Sequence, residues 1–324
     1  MSVKAATKIT GLILGFVIAW FFGAHIGKTR GIGIPFVGWR KEFSIGIYSG
    51  KSPFDVRPAE NVASPVMSAR DVNDVPAGFV ADPFMVEDGR TWYMFFEVWN
   101  NRTNQGDIAV AVSDDLSKWT YKQIVLDEPF HLSYPYVFKW DNEYYMIPES
   151  SRAYSIRLYK AVDFPYKWSF VSKLITGNFV DSSIFRYDGR WWMFASDGDS
   201  VLRLFYADVL TGPWIEHPKS PIVLWDARIA RSAGRVIIYD GKPIRYTQDC
   251  NQVYGLAVQA FRITELTVEN YQEEKASVNP VLKGSGSGWN AQRMHQIDAH
   301  WVADDRWVAC VDGYVEKLAF GLKF

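Results

Sequence analysis

The chain has 324 residues, with 35 basic and 36 acidic side chains interspersed and a formal net charge of −1. That balance leaves no basic stripe or patch, so nucleic-acid binding is set aside. Its 14 Trp, 17 Tyr and 21 Phe give an aromatic fraction of 16 %, suited to packing sheets and to stacking on sugar rings.

Residues 1–30 read as a membrane anchor. An apolar run of about 19 residues, just long enough to span a bilayer, covers 9–27, with Lys4 and Lys8 before it and Lys28 and Arg30 after it. Gly11, Gly15, Ala19, Gly23 and Gly27 fall four apart on one helix side. Such a stripe lets two helices approach closely, so a homodimer through the anchor is expected. A cleaved signal peptide is the alternative, disfavoured by the length of the run and the lack of a small-x-small site at its end. The flanking charges nearly balance and leave the orientation open. Residues 31–42, Gly-rich and basic, read as a tether, and 43–324 as one all-β domain.

FSIGIYSG, from Phe43, is strand-like and is expected to complete the last sheet as its outer strand, beside EKLAFGLKF at the other end of the chain. KSPFDVRPAENVASPVMSARDV then reads as an extended loop. Three copies of one unit follow: ADPFMVEDGRTWYMFFE from Ala81, SYPYVFKWDNEYYMIPE from Ser133 and VDSSIFRYDGRWWMFAS from Val180. Each is an apolar strand, a tight Asp-Gly or Asp-Asn turn and an aromatic strand. A Trp follows each hairpin: Trp119, Trp168 and Trp214. A period of roughly 45–55 residues is that of a four-stranded propeller blade. A degenerate fourth copy begins at Ala227 and a fifth at His295, so the fold class is a five-bladed β-propeller preceded by a single transmembrane helix. TELTVENYQEE reads as a short helix or turn. The Gly/Ser-rich KGSGSGWNAQRM from Lys283 is either a lid over the site or a plain surface connection.

Propeller hairpins bring the start of the first strand and the end of the second to the same face of the disc. Asp82 should therefore meet Glu97, Tyr134 should meet Glu149, and Asp181 should meet Ser196 and Asp197. The fourth copy offers Arg228, Arg231, Arg245, Gln248 and Asp249 to the same axial pocket, and the fifth offers His295, Asp298 and Asp312. Chemistry at a sugar's anomeric carbon needs a carboxylate to activate the incoming oxygen, and hydrolysis usually needs a second carboxyl as proton donor. Asp82, ahead of a Pro at the mouth of the first strand, is the expected base. Asp181 is expected to tune it, and Glu149 to donate the proton or to accept a sugar hydroxyl. Glu97, Gln248, Asp249 and Asp298 are expected to bind substrate, with Arg231, Arg245 and His295 on an anionic group such as a phosphate. The competing ordinary roles are turn aspartates and inter-blade ion pairs.

Phosphate loops, dinucleotide glycine patterns, zinc helices and nucleophile elbows are lacking, so no cofactor and no metal are expected. Asp-Gly pairs at Asp88, Asp188, Asp240 and Asp312 read as turn chemistry. Cys250 and Cys310 fall in different copies, and their pairing is open.

The three quoted hairpins, with SIGIYSGKSPFDV, RYTQDCNQVYG from Arg245, HQIDAHW and WVACVDG, resemble the N-terminal domain of plant glucosamine inositolphosphorylceramide transferases and its stand-alone bacterial relatives, themselves similar to family 43 glycoside hydrolases. The resemblance covers residues 39–324. It implies a base at Asp82 and a pKa-tuning aspartate at Asp181. The glutamate acid that opens blade four in family 43 is missing: LWDARIARSAG places Asp226 and Arg228 there. The resemblance and the missing acid together imply glycosyl transfer onto a glycan or glycolipid in envelope polysaccharide synthesis, with a carbohydrate or lipid-linked sugar as partner. Inverting hydrolysis, with Glu149 or Asp226 as substitute acid, and non-catalytic carbohydrate binding are the alternatives.

Overall fold

The computed structural model describes residues 37–303 and 305–320. The expected anchor, its small-residue stripe and most of the tether lie outside the described residues. Among those described, no helix is long and apolar enough to cross a membrane. One compact unit spans Phe43–Val315. It holds five antiparallel sheets of four or five strands and two single-turn 3-10 helices.

Each sheet is a blade. From the axis outward, blade one is Ala77–Asp88, Thr91–Asn100, Gln105–Ser113 and Thr120–Leu126, and blade two is Ser133–Trp140, Glu143–Glu149, Ser155–Asp163 and Lys167–Thr176. Blade three is Val180–Tyr187, Arg190–Asp197 and Val201–Ala207, edged by the short strands Ile215–Glu216 and Val223–Leu224. Blade four has a short inner strand, Ile237–Tyr239, then Lys242–Gln248, Ala257–Leu266 and an edge of Tyr271–Lys275 and Leu282–Lys283. Blade five joins both ends of the chain: Ile297–Ala303 and Arg306–Phe320 pair on to Val37–Ser52 and Asp55–Pro58. This closure removes the exposed edges an open sheet would leave.

Local sequence explains the repeats. The tips Asp141-Asn142, Asp188-Gly189 and Asp240-Gly241 have positive φ at both residues, the two-residue turn that Asp, Asn and Gly tolerate. Each repeat Trp donates its indole N–H to a carbonyl of the turn before it: Trp119 to Leu116 at 3.2 Å, Trp168 to Pro165 at 2.9 Å and Trp214 to Leu210 at 3.1 Å. The hydrophobic core lies in clusters between successive sheets, such as Phe84, Phe95, Tyr136, Met146 and Trp191.

One expectation changes and three open ones are decided. The N-terminal strand is the third of blade five, and the outermost is Asp55–Pro58, inside the stretch read as an extended loop. Ser52 Oγ accepts the Asp55 N–H at 3.2 Å and closes that hairpin. TELTVENYQEE forms a hairpin turn, because Thr267 Oγ1 accepts the N–H groups of Glu269 and Asn270. The Gly/Ser-rich connection is seated on blade five: Asn290 donates to Tyr48 Oη at 2.8 Å, and a Cβ on Gly46 would lie 2.5 Å from the Trp289 ring. It does not line the pocket. Cys250 and Cys310 are both free.

At the axis, Tyr134 Oη accepts the Gly234 N–H at 2.7 Å and lies 2.8 Å from Ser183 Oγ, tying blades two, three and four together. A Cβ on Gly234 would fall 1.7 Å from the Ile297 carbonyl oxygen. Only glycine fits there.

Candidate active site

The same irregularity opens the first three blades. Ala81 faces Glu97 and Phe84 faces Phe95, three steps on one strand against two on its partner. Ser133/Glu149 with Tyr136/Ile147, and Val180/Ser196 with Ser183/Phe194, repeat the count. One extra residue is a bulge, which re-aims a side chain. Asp82, Tyr134 and Asp181 occupy equivalent positions in these bulges, with φ of 53°, 45° and 48°, a conformation that costs free energy in non-glycine residues. The bulges turn two aspartates and one tyrosine toward the axis.

A cavity of about 240 Å³ opens there, lined by Asp82, Glu97, His131, Ser133, Glu149, Ser151, Arg231 and His295 under a wall of Phe43, Phe79 and Tyr254. It is smaller than the roughly 300–1,000 Å³ of drug-sized sites and suits one small ring.

Asp82 receives the Tyr134 N–H at 3.3 Å, and its own N–H goes to Asp312 Oδ2 at 3.2 Å. His295 stands between the two acids: Nδ1 is 2.8 Å from Asp312 Oδ1, and Nε2 is 3.4 Å from Asp82 Oδ1. Burial raises the Asp82 pKa to about 7, helped by Asp181 and Asp312 and opposed by His295 and Arg231. Burial works against charge on His295, but Asp312 and Asp82 outweigh it and its pKa is raised. One ligand atom from each of Asp82, His295 and Asp312 lies within 4.8 Å of the others, so these three could hold a cation. A proton on His295 Nδ1 satisfies the His295–Asp312 contact equally well.

The other carboxyls differ in what they accept. Glu149 takes the Ser151 N–H at 2.8 Å and the Ser133 hydroxyl at 3.2 Å. Asp181 takes Arg231 Nε at 2.6 Å and Gln248 Nε2 at 2.9 Å. Burial raises its pKa against the pull of Arg231. Among the described residues no hydrogen bond reaches the Glu97 carboxyl, and His131 Nε2 lies 3.8 Å from both Glu97 Oε1 and Glu149 Oε2. Burial, with Asp82 and Glu149 adding repulsion, holds the Glu97 pKa well above the usual carboxylate range. Burial thus raises the pKa values of Asp82, Asp181 and Glu97 alike, and Glu97 lacks the cationic or amide partner that Asp181 has in Arg231 and Gln248.

His131 is neutral by geometry. Its Nδ1 accepts the Gly106 N–H at 2.7 Å, so the ring proton sits on Nε2, facing the two glutamates. Burial lowers its pKa, with Arg152 adding to the effect.

Of the expected residues, Asp82, Glu97, Glu149, Arg231 and His295 line the cavity, and Asp181 and Gln248 lie directly behind it. The others do not reach it. Arg245 is locked on both Glu273 oxygens at 2.5 and 2.6 Å. Asp298 is held by Arg235 Nε at 2.7 Å, His300 Nε2 at 2.8 Å and the Met85 N–H at 2.6 Å. Asp249 Oδ1 accepts the Asn251 N–H in a surface loop. Asp226 pairs with Arg228 at 2.7 Å, which keeps its pKa low, so it is no substitute acid. Arg231 is already shared between Asp181 and Asp199. Asp312 lies inside a continuous strand, not a turn, and orients His295. His131 and Tyr254 also line the cavity and are not among the expected residues. His131 is one of only 5 histidines, and it sits three residues before the blade-two bulge in DEPFHLSYPY, a signal that could have marked it.

The five-sheet propeller is a fold shared with solved glycoside hydrolase domains. The chain superposes on the catalytic domain of the Coprinopsis cinerea GH62 α-L-arabinofuranosidase with a TM-score of 0.56 and 11 % identity, covering 87 % of this chain and 98 % of that one. An exo-β-1,3-galactanase from Clostridium thermocellum gives a TM-score of 0.51 at 14 % identity, over 67 % of this chain and 52 % of that one. At such identities the likeness is one of fold. Residues 40–314 match the family described as glucosamine inositolphosphorylceramide transferase 1, N-terminal, and the chain belongs to that family. It is 40 % identical over 295 residues to glucosamine inositolphosphorylceramide transferase 1 of Oryza sativa subsp. japonica, covering 84 % of this chain and 40 % of the relative. With the Arabidopsis thaliana protein of the same name it shares 35 % over 325 residues, 91 % of this chain and 42 % of the relative. The chain thus spans about two fifths of the length of the curated relatives it matches.

Proposed function

We propose that this protein transfers a glycosyl unit onto a glycan or glycolipid at the axial pocket, with Asp82 as base and Glu97 as proton donor. The observation that carries the base and donor roles is the division of labour among buried carboxyls. Asp82, with a pKa of about 7, can gain or lose a proton near neutrality, while Glu97 keeps one to give. Glu97 replaces Glu149 in the donor role because Glu149 already accepts two hydrogen bonds, from the Ser133 hydroxyl and the Ser151 N–H. Asp181, clamped by Arg231 and Gln248, lies directly behind Asp82. The transferase names of the relatives favour transfer. The apolar segment of residues 1–30 would tether the pocket at a membrane surface, beside lipid-linked sugars and nascent envelope polysaccharide.

Inverting hydrolysis is the second reading, favoured by the presence of a base and a neutral acid in one pocket. Incubation with activated sugar donors and oligosaccharide acceptors separates the two: a lengthened acceptor marks transfer, and free sugar marks hydrolysis. Asp82→Asn should lower either activity by about 10²-fold or more. Full activity in Asp82→Asn removes the assignment. Sugar binding with no turnover in wild type would leave a carbohydrate-binding module.

A further inference from the structure

The axial cavity is not alone. A larger one, about 460 Å³, adjoins it and shares His131; its other walls include Trp99, Asn104, Gln105, Phe130 and Arg152. The charge of the two chambers is opposite. Carboxyls Asp82, Glu97 and Glu149 line the axial cavity, whose one arginine is neutralised by Asp181 and Asp199. The outer groove has no carboxylate in its lining, and no hydrogen bond or ion pair among the described residues engages the Arg152 guanidinium.

The groove is also built to present that charge. Arg152 lies in the 3-10 turn Ser151–Ala153, whose first N–H is bound by Glu149 Oε1. The charged group is therefore anchored to the same backbone that holds the axial glutamate. Trp99 stacks on Phe79 at 5.7 Å between ring centroids. Phe130 is backed on one side by the Arg157 guanidinium at 4.8 Å. Among the described residues the Asn104 side chain makes no hydrogen bond, while Gln105 is spent on the Glu128 carbonyl. Two fixed aromatic faces, an open carboxamide and a free guanidinium form a receptor for a polar ring that carries an oxyanion.

We infer that this outer groove binds the phosphate-bearing part of the substrate, a sugar phosphate or phosphodiester held by Arg152, while the axial cavity takes the neutral ring. The inference rests on the carbohydrate reading of the axial pocket. An anion entering the axial chamber would meet several buried acids, whereas the groove offers charge-assisted hydrogen bonds. The phosphate role expected of Arg231 and Arg245 thereby passes to a residue whose sequence context, a turn after IPES, carries no motif.

The test is calorimetric titration of the full chain with glucose 1-phosphate, glucose and inorganic phosphate at low ionic strength. Wild type should bind glucose 1-phosphate at least about tenfold more tightly than glucose, and raising the salt should shrink that gap. Arg152→Gln should bring the two sugars within about twofold while leaving the glucose affinity unchanged, and Arg152→Lys should keep part of the preference. A preference for the ester that survives in Arg152→Gln overturns the inference, as does inorganic phosphate binding as tightly as the ester. Asp82→Asn should keep the preference for the ester over glucose while lowering turnover by about 10²-fold or more, so failure of the groove and failure of the axial chemistry read out separately.

Discussion

Asp82 carries opposite demands. Burial lifts its pKa from 3.8 to about 7, so the folded state binds a proton there that the unfolded chain has released. Stability from this group is complete below pH 4, falls as pH rises toward 7, and stays low above it. Asp82→Asn keeps the shape and removes the titration. It should raise the melting temperature by roughly 2–6 °C at pH 8 and change it little at pH 4, read by thermal denaturation at both values. In wild type the same ionisation should appear as a rising limb of activity near pH 7, since a base must be unprotonated. Glu97 makes the converse case. Burial holds its pKa well above the usual carboxylate range, so Glu97→Gln replaces a group whose charged form is already disfavoured. That variant should melt within about 2 °C of wild type at pH 7 and lose about 10²-fold or more in turnover. A large loss of stability with activity retained would return Glu97 to a structural role.

At the scale of the element, the bulged hairpin is the unit that makes the site. The same extra residue in blades one, two and three yields Asp82, Tyr134 and Asp181. Two of these serve the pocket chemistry and the third ties the axis. The neighbouring strand is fitted around them. A Cβ at Gly106 would lie 2.3 Å from the Leu132 carbonyl oxygen, 2.6 Å from Glu97 Oε1 and 2.8 Å from His131 Cε1. Gly106→Ala must therefore push the His131 loop away from the glutamates. It should cost about 1–3 kcal/mol in chemical denaturation and lower activity well beyond what that loss of folded protein explains. Normal activity at normal stability would mean that the His131–Gly106 contact does not organise the pocket.

For the whole molecule, a second axial cluster beneath the pocket holds the blades in register. Arg235, from blade four, gives Nε to Asp298 of blade five at 2.7 Å and Nη2 to the carbonyls of Met85 at 3.1 Å and Val137 at 2.9 Å, in blades one and two. Burial alone would raise the pKa of Asp298, but Arg235 and His300 hold it at about 2. Its contribution is complete above about pH 4 and is lost as pH falls toward 2. Arg235→Met leaves Asp298 buried without its main partner and should destabilise the protein by about 3–5 kcal/mol. Adding Asp298→Asn should recover part of that loss, as measured by denaturant unfolding of the single and double variants. Additive losses would show that the pair is not coupled.

The chain's own order of residues determined the propeller: three hairpin copies, Asp-Gly and Asp-Asn tips and a spaced Trp are short-range signals that survive without coordinates. The same alternation placed Asp82, Glu97, Glu149 and Asp181 at strand mouths facing the axis. Which charges are spent was settled only in three dimensions. Arg245 meets Glu273, Arg235 meets Asp298 and Arg231 meets Asp181 across separations of 28, 63 and 50 residues, while Arg152 meets no acid among the described residues. Side-chain periodicity reports which face of a strand a residue occupies, but not its depth along the axis or the partner that a different blade brings to it. Pairing, protonation and the free guanidinium of the groove are therefore properties of the closed ring.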